Sequence, residues 1–98
     1  MITIKTRADI EVMAEGGRIL AGVLKKLRVE VVPGVATIDL DRLALRLFEE
    51  AGARPAFLNY RPAGSREAYP YTLCASLNDV VVHGHPSDYR LREGDILK

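Results

Sequence analysis

The fold class is decided by the run Tyr71-Thr72-Leu73-Cys74-Ala75-Ser76-Leu77-Asn78-Asp79-Val80-Val81-Val82-His83-Gly84. Its first seven residues alternate between large apolar and small or polar side chains, which is typical of a β-strand with one buried face. Asn78 and Asp79 predict a turn, because both residue types favour turn conformations. The three valines that follow are β-branched and apolar, so they predict a buried strand that is broken at Gly84.

Two amphipathic helices are predicted upstream of these strands. The first begins after Thr6, which can cap the helix together with Asp9 in an arrangement close to a capping box. A stripe of residues at helical spacing predicts that one face of this helix is buried. The stripe consists of Ile10, Met13, Gly17, Leu20, Leu24 and Leu27. The pair Gly16-Gly17 predicts the close approach of another backbone at this face.

The second helix is predicted to begin at Thr37, its N-cap, and to end at Gly52, its C-terminal cap. Asp39 and Asp41 lie in its first turn, where carboxylates are stabilised by the positive end of the helix dipole. Metal binding is the alternative role for these two aspartates. Stabilisation of the helix start is the favoured role, because no histidine lies nearby in the sequence to complete a metal site.

The remaining segments complete an α+β pattern of two helices followed by several strands. Residues 56–58 are a short strand candidate, and residues 60–70 predict an exposed loop rich in proline, glycine and charge. Residues 93–95 predict a turn, after which Ile96 and Leu97 open a further strand. We expect these strands to need partner strands that the chain does not contain.

Composition places the chain among ordinary globular domains. It has 98 residues, with 14 Lys and Arg against 13 Asp and Glu, and a formal net charge of +1. That balance argues against a nucleic-acid module held mainly by charge and gives no reason for membrane adhesion. The single cysteine excludes an internal disulfide and predicts a cytoplasmic protein. No apolar run approaches the roughly 20 residues that a transmembrane helix needs.

The two histidines are the scarcest candidates for chemistry. His83 follows the three valines, so it can exchange a proton with a substrate near neutral pH or bond to a neighbouring backbone group. His83 and His85 are two residues apart and share a strand face, so the pair could bind a metal ion if a third ligand came from elsewhere. Gly84 and Pro86 weaken that prediction, because they end the strand.

Three further side chains are candidates for a pocket or for catalysis. Cys74 is either a nucleophile, which needs a nearby base, or a small buried apolar residue, and the second role is favoured. Tyr60 and Tyr69 flank the predicted loop and could line a pocket. No phosphate-binding glycine loop and no nucleophile elbow occurs in the sequence.

Several motifs, taken in order, resemble the N-terminal part of a type I bacterial methionine aminopeptidase. They are Ile4-Lys5-Thr6 leading into Ile10-Glu11-Val12-Met13 and Gly17-Arg18; Pro33-Gly34-Val35-Ala36-Thr37 before Leu40-Asp41; Gly52-Ala53-Arg54-Pro55-Ala56-Phe57-Leu58 before Tyr60; Leu73-Cys74-Ala75-Ser76-Leu77-Asn78-Asp79; Val81-Val82-His83-Gly84; and Glu93-Gly94-Asp95-Ile96-Leu97. The resemblance runs from about Ile4 to Lys98 and rests on the order and spacing of the motifs. His85 stands where the family usually has an aliphatic residue.

This resemblance implies the N-terminal half of a pita-bread (creatinase/aminopeptidase-like) fold, with two helices packed on an antiparallel sheet. It implies a cytoplasmic metal-dependent hydrolase that removes the initiator methionine from nascent polypeptides, with the ribosome as a further partner and a monomeric parent enzyme. His83 matches the histidine that contacts the scissile peptide nitrogen. Tyr60, Tyr69 and Cys74 match residues of the methionine pocket, and Phe57 is a looser match.

This sequence departs from the family pattern at the metal ligands. The family uses two divalent ions (Co, Mn, Fe or Zn), held by two aspartates, a histidine and two glutamates that match positions beyond Lys98. We therefore expect residues 1–98 to be part of one catalytic domain and to be inactive alone. The alternatives are a non-enzymatic half-domain that binds a peptide or the ribosome, and a relative of creatinase or prolidase.

Overall fold

The computed structural model describes all residues from Met1 to Lys98 and contains two α-helices. Helix α1 spans Arg7–Glu30 and helix α2 spans Thr37–Glu50. The rest of the chain forms turns and irregular segments, joined by two isolated antiparallel bridges. These bridges pair Ala36 with Arg90 and Leu77 with Leu97. No helix of the structure combines the length and the apolar character needed to cross a membrane.

The predicted cap of α1 is confirmed. The Thr6 hydroxyl accepts a hydrogen bond from the Asp9 backbone N–H at 3.2 Å, and the Asp9 carboxylate accepts one from the Thr6 N–H at 2.8 Å. These reciprocal bonds satisfy donors that the helix itself leaves free. They also lower the pKa of the Asp9 carboxyl, because the bonds from Thr6 favour its charged form.

The predicted buried face of α1 is wrong for most of its length. Of the six residues of the predicted stripe only Leu27 is buried, together with Val23, which lies outside the stripe. The exposed residues of the stripe include Ile10, Met13, Leu20 and Leu24. The physical reason is that α2 and the following segments pack only against the C-terminal half of α1. The expected backbone approach at Gly16-Gly17 is also wrong, since nothing lies within 4 Å of either glycine's Cβ position.

The core lies between the two helices. It consists of Val23, Leu27, Leu40, Ala44 and Leu91. The N-cap of α2 is Ala36 rather than the predicted Thr37, because Thr37 is fully buried and its side chain is engaged elsewhere. The Thr37 hydroxyl accepts from the Ser87 N–H at 2.8 Å and donates to the Ser87 carbonyl at 3.1 Å. The C-cap of α2 is Ala51, and the predicted capping glycine, Gly52, follows it with φ +69°.

The predicted sheet is not formed in this chain. Residues 71–77 form no strand, and only single residues pair with another segment. Ser76, for example, makes two backbone hydrogen bonds of 2.9 Å with Lys98. The three valines 80–82 are neither a strand nor buried, and Val81 is 77% exposed. No segment lies alongside them to pair their backbone, and β-propensity alone does not form a ladder. Residues 56–58 likewise form a bend and a turn.

The predicted turns are confirmed. At the first, Val80 N–H donates to the Leu77 carbonyl at 2.9 Å and Asn78 adopts φ +52°. At the second, Asp95 N–H donates to the Arg92 carbonyl at 3.1 Å. Residues 60–67 are exposed, as predicted for a loop. The turn chemistry is local, which explains why the sequence alone predicts it.

Candidate substrate pocket

An open pocket of about 660 Å³ lies between the loop that follows α2 and the segment that carries the two histidines. All five residues predicted for the site line it, together with His85. They are Phe57, Tyr60, Tyr69, Cys74 and His83. Residues far apart in sequence are thus brought to one cavity, which is the arrangement expected of a ligand site.

Two backbone hydrogen bonds stabilise the loop that forms one wall of the pocket. Asn59 N–H donates to the Tyr69 carbonyl, and Tyr69 N–H donates to the Tyr60 carbonyl, both at 2.8 Å. Because these bonds join the two ends of the loop, Tyr60 and Tyr69 are held side by side. Asn59 takes φ +65° at the start of the loop, a conformation that asparagine tolerates better than most residues.

Tyr69 is the best-anchored side chain of the pocket. Its hydroxyl donates to the Leu73 carbonyl at 2.7 Å and lies 3.7 Å from Cys74 Sγ. Burial, followed by the hydrogen bond with Cys74, raises the pKa of the Tyr69 hydroxyl well above its ordinary value. The raised pKa agrees with the role of the hydroxyl as hydrogen-bond donor to the Leu73 carbonyl.

The ring of Tyr69 and two neighbouring aromatic rings make edge-to-face contacts with one another. The Tyr69 ring centroid lies 5.2 Å from that of His85 and 5.7 Å from that of Tyr71. His85 and Tyr71 are 5.5 Å apart. Edge contacts at these distances are favourable for aromatic pairs, so the three rings pack as one cluster, of which Tyr69 and His85 line the pocket.

His83 stands exposed at the edge of the pocket with a left-handed backbone, φ +58°. Its Nδ1 lies 4.0 Å from Cys74 Sγ. The next residue, Gly84, packs tightly against another part of the chain, because a Cβ on it would lie 2.5 Å from the Ala75 carbonyl oxygen. Only glycine allows that approach, and Gly84 N–H then donates to Ser76 Oγ at 3.0 Å.

Cys74 is half-buried rather than fully buried, and it contacts polar groups of the pocket. The prediction of a small buried apolar residue is therefore only partly right. The thiol lies between the Tyr69 hydroxyl and the His83 ring, at 3.7 Å and 4.0 Å. Its position gives the pocket floor a soft, polarisable atom.

Asp41 has a role that the sequence did not predict. It is buried, and its Oδ1 accepts hydrogen bonds from the Thr72 and Leu73 backbone N–H groups, both at 2.8 Å. The prediction of a carboxylate at the helix start holds for Asp39, which is exposed and pairs with Arg42, but is wrong for Asp41. The signal was present in the spacing, because Asp41 shares the helix face of the buried residues Thr37 and Ala44.

Comparison with known proteins supplies the family. Residues 11–98 match the model of metallopeptidase family M24. The chain belongs to this family. Among its relatives, the methionine aminopeptidase of Aquifex aeolicus is 41% identical over 97 residues, covering 98% of this chain and 38% of that protein. The methionine aminopeptidase of Clostridium perfringens is 37% identical over 97 residues, covering 99% of this chain and 36% of its own length.

Solved structures of methionine aminopeptidases are similar in fold. The methionine aminopeptidase of Thermotoga maritima superposes with a TM-score of 0.88 at 39% identity, covering 99% of this chain and 37% of that one. The enzyme of Rickettsia prowazekii gives 0.90 at 36% identity, with the same coverage. The chain thus spans little more than a third of the relatives that it matches. The predicted resemblance to bacterial methionine aminopeptidases is confirmed.

Membership of a metallopeptidase family implies the use of divalent metal ions. The donors present in these 98 residues do not fit such a site, because no three His, Cys, Asp or Glu side chains are grouped to hold an ion. His83 faces Cys74, whereas His85 packs on two tyrosine rings, so the predicted metal-binding pair is not assembled. Asp41 already accepts two backbone hydrogen bonds.

Proposed function

We propose that this chain forms the substrate-facing part of a cytoplasmic, metal-dependent methionyl aminopeptidase, which removes the N-terminal methionine of newly made proteins. One observation carries the proposal: five residues matched to the family's substrate site line a single pocket. The relatives support it, because they are named methionine aminopeptidases.

The pocket suits a methionine side chain on chemical grounds. Methionine is unbranched and carries a polarisable thioether, which makes favourable contacts with aromatic rings. The pocket offers the rings of Phe57, Tyr60 and Tyr69 and the thiol of Cys74. A volume of about 660 Å³ lies within the range of small-molecule sites, so the pocket also has room for the adjoining peptide group.

His83 is the group that we assign to the reacting peptide. Its exposed ring stands at the edge of the pocket, so the backbone of a bound peptide can reach it. A histidine ring can donate or accept a hydrogen bond near neutral pH, as contact with a peptide nitrogen requires. In this assignment, Nδ1 is directed toward Cys74 and Nε2 is left for the substrate.

The proposed reaction uses two divalent ions (Co, Mn, Fe or Zn), and these 98 residues do not gather ligands for them. A site with two metal ions needs ligands from several elements. We therefore propose that residues 1–98 by themselves bind the methionine end of a peptide but do not cleave it.

The test compares the 98-residue chain with a chimaera in which it replaces the matched 97 residues of the Aquifex aeolicus methionine aminopeptidase. Release of methionine from a Met-Ala peptide is measured with cobalt or manganese added. We expect release by the chimaera and none by the chain alone. Robust release by the chain alone would refute the predicted inactivity, and a folded, metal-loaded chimaera without activity would refute the proposed function.

A non-enzymatic role remains the second candidate function, because the pocket is formed without any group of metal ligands. In that role, the chain binds a peptide or the surface of a ribosome and no reaction follows. An inactive chimaera that still binds Met-Ala peptides would favour this role over the enzyme.

A further inference from the structure

Asp41 is the one buried carboxylate that the proposed reaction does not use. It is 7% exposed, and none of the ion pairs in the structure includes it. A buried charge without a cation is costly unless hydrogen bonds compensate for the lost water. The N–H groups of Thr72 and Leu73, each 2.8 Å from Oδ1, supply that compensation.

Leu73 connects this carboxylate to the pocket. Its N–H donates to Asp41 on helix α2, and its carbonyl accepts the hydroxyl hydrogen of Tyr69 at 2.7 Å. The position of the Tyr69 hydroxyl is therefore set by a residue that is itself tied to α2. Asp41 lies close enough to Tyr69 to help raise the pKa of its hydroxyl, behind burial and Cys74 in size of effect.

The Tyr69 ring also contacts two neighbouring aromatic rings, one of which lines the pocket with it. It makes edge contacts with Tyr71 and His85, and it lines the pocket with Cys74. A rotation of Tyr69 would therefore separate its ring from His85 and change the shape of the cavity.

We propose that Asp41 is a positioning residue, which holds Tyr69 in place through Leu73 and so shapes the pocket for an apolar side chain. The identity of that side chain as methionine rests on the proposed function. The positioning itself does not, because it is a statement about the contacts among Asp41, Leu73 and Tyr69.

The test uses the 98-residue chain, with NMR contacts between the Tyr69 and His85 rings and titration with L-methioninamide. Asp41→Ala removes both charge-assisted hydrogen bonds to Thr72 and Leu73, so we expect it to remove the ring contact and, because the pocket changes shape, to weaken methioninamide binding about tenfold. Asp41→Asn retains an acceptor oxygen, so it should preserve the ring contact. Asp39→Ala, on the exposed side of the same helix, should change neither quantity.

A second variant covers the case in which Asp41→Ala does not fold. Tyr69→Phe keeps Asp41 and the ring but lacks the hydroxyl that donates to Leu73, so it should also lose the ring contact with His85. An unchanged ring contact in Tyr69→Phe or in folded Asp41→Ala overturns the proposal. If the unaltered chain does not bind methioninamide, the proposed function fails, and the ring contact still decides the role of Asp41.

Discussion

At the scale of single residues, His83 combines an unfavourable backbone with an exposed ring. Its φ of +58° lies in the left-handed region, which costs a residue with a side chain roughly 1–2 kcal/mol. Such strain persists only where the surroundings impose it, and it is concentrated at functional sites. The next residue, Gly84, lies so close to the Ala75 carbonyl that no side chain fits there, which restricts the path of the chain beside His83.

This strain allows the ring of His83 to be tested separately from its backbone. In the chimaera, His83→Gly should lower turnover at least about a hundredfold, the lower range for loss of a positioned acid–base group. The same change should leave stability equal or higher, because glycine adopts a positive φ without penalty. The measurements are methionine release, metal content and thermal unfolding.

Two outcomes would contradict this role for His83. Unchanged turnover would show that the ring is not used, and a parallel loss of bound metal would make it a ligand instead of a substrate contact. His83→Asn is the matched control, because asparagine tolerates the same backbone and remains polar. It should retain the fold while losing most of the turnover.

At the scale of elements, a carboxylate joins the two confirmed turns. Asp95 accepts hydrogen bonds from Asn78 Nδ2 at 3.2 Å, from the Tyr89 hydroxyl at 2.9 Å and from the Arg92 N–H at 2.9 Å. Asn78 in turn accepts from the Ile96 N–H at 3.0 Å. These bonds stabilise the two segments that meet at the bridge between residues 77 and 97.

This cluster makes stability depend on pH in the acid range. The Arg92 N–H, then Asn78 and Tyr89, lower the pKa of the Asp95 carboxyl below its ordinary value of 3.8. The folded chain therefore binds the Asp95 proton less tightly than the unfolded chain. The stabilisation by Asp95 is complete well above pH 3.8 and is lost as the pH falls through the lowered pKa.

The prediction is that Asp95→Asn flattens the acid side of the stability profile. Thermal melting of the 98-residue chain would be followed between about pH 2 and 6, the range in which a lowered aspartate pKa acts. Asp88→Asn is the matched control, because Asp88 is an exposed aspartate that makes none of these hydrogen bonds. A profile for Asp95→Asn that parallels the unaltered chain would contradict the assignment.

The helices, turns and strands also show which parts of the structure the sequence alone predicts. Both helices and both turns were predicted, because caps, periodicity and turn residues act over a few positions. The strands were not formed, because a strand needs partners distant in sequence, and nothing in residues 80–82 specifies them. His83, Cys74, Tyr60 and Tyr69 were candidates from the sequence pattern, whereas their roles and the choice of Phe57 came from the resemblance. Asp41 was missed because its partners, the N–H groups of residues 72 and 73, lie 31 and 32 positions away.

At the scale of the molecule, the chain is less compact than its length predicts. Its radius of gyration is 15.4 Å, against about 13 Å for a folded domain of 98 residues. Only 12 of the 98 residues are buried. Hydrophobic stabilisation grows with buried apolar area, so this arrangement predicts low stability for the isolated chain. Helix α1 shows this most clearly, because its two halves differ in burial.

That difference predicts unequal effects of substitution along one helix. Leu27 is 6% exposed, so Leu27→Ala should lower the free energy of unfolding by about 2–5 kcal/mol. Met13 is 59% exposed, so Met13→Gln, which keeps a good helix former, should change it by less than about 0.5 kcal/mol. Urea unfolding followed by circular dichroism measures both. Comparable losses would mean that the first half of α1 is covered in solution, and sedimentation would then show whether a second copy covers it.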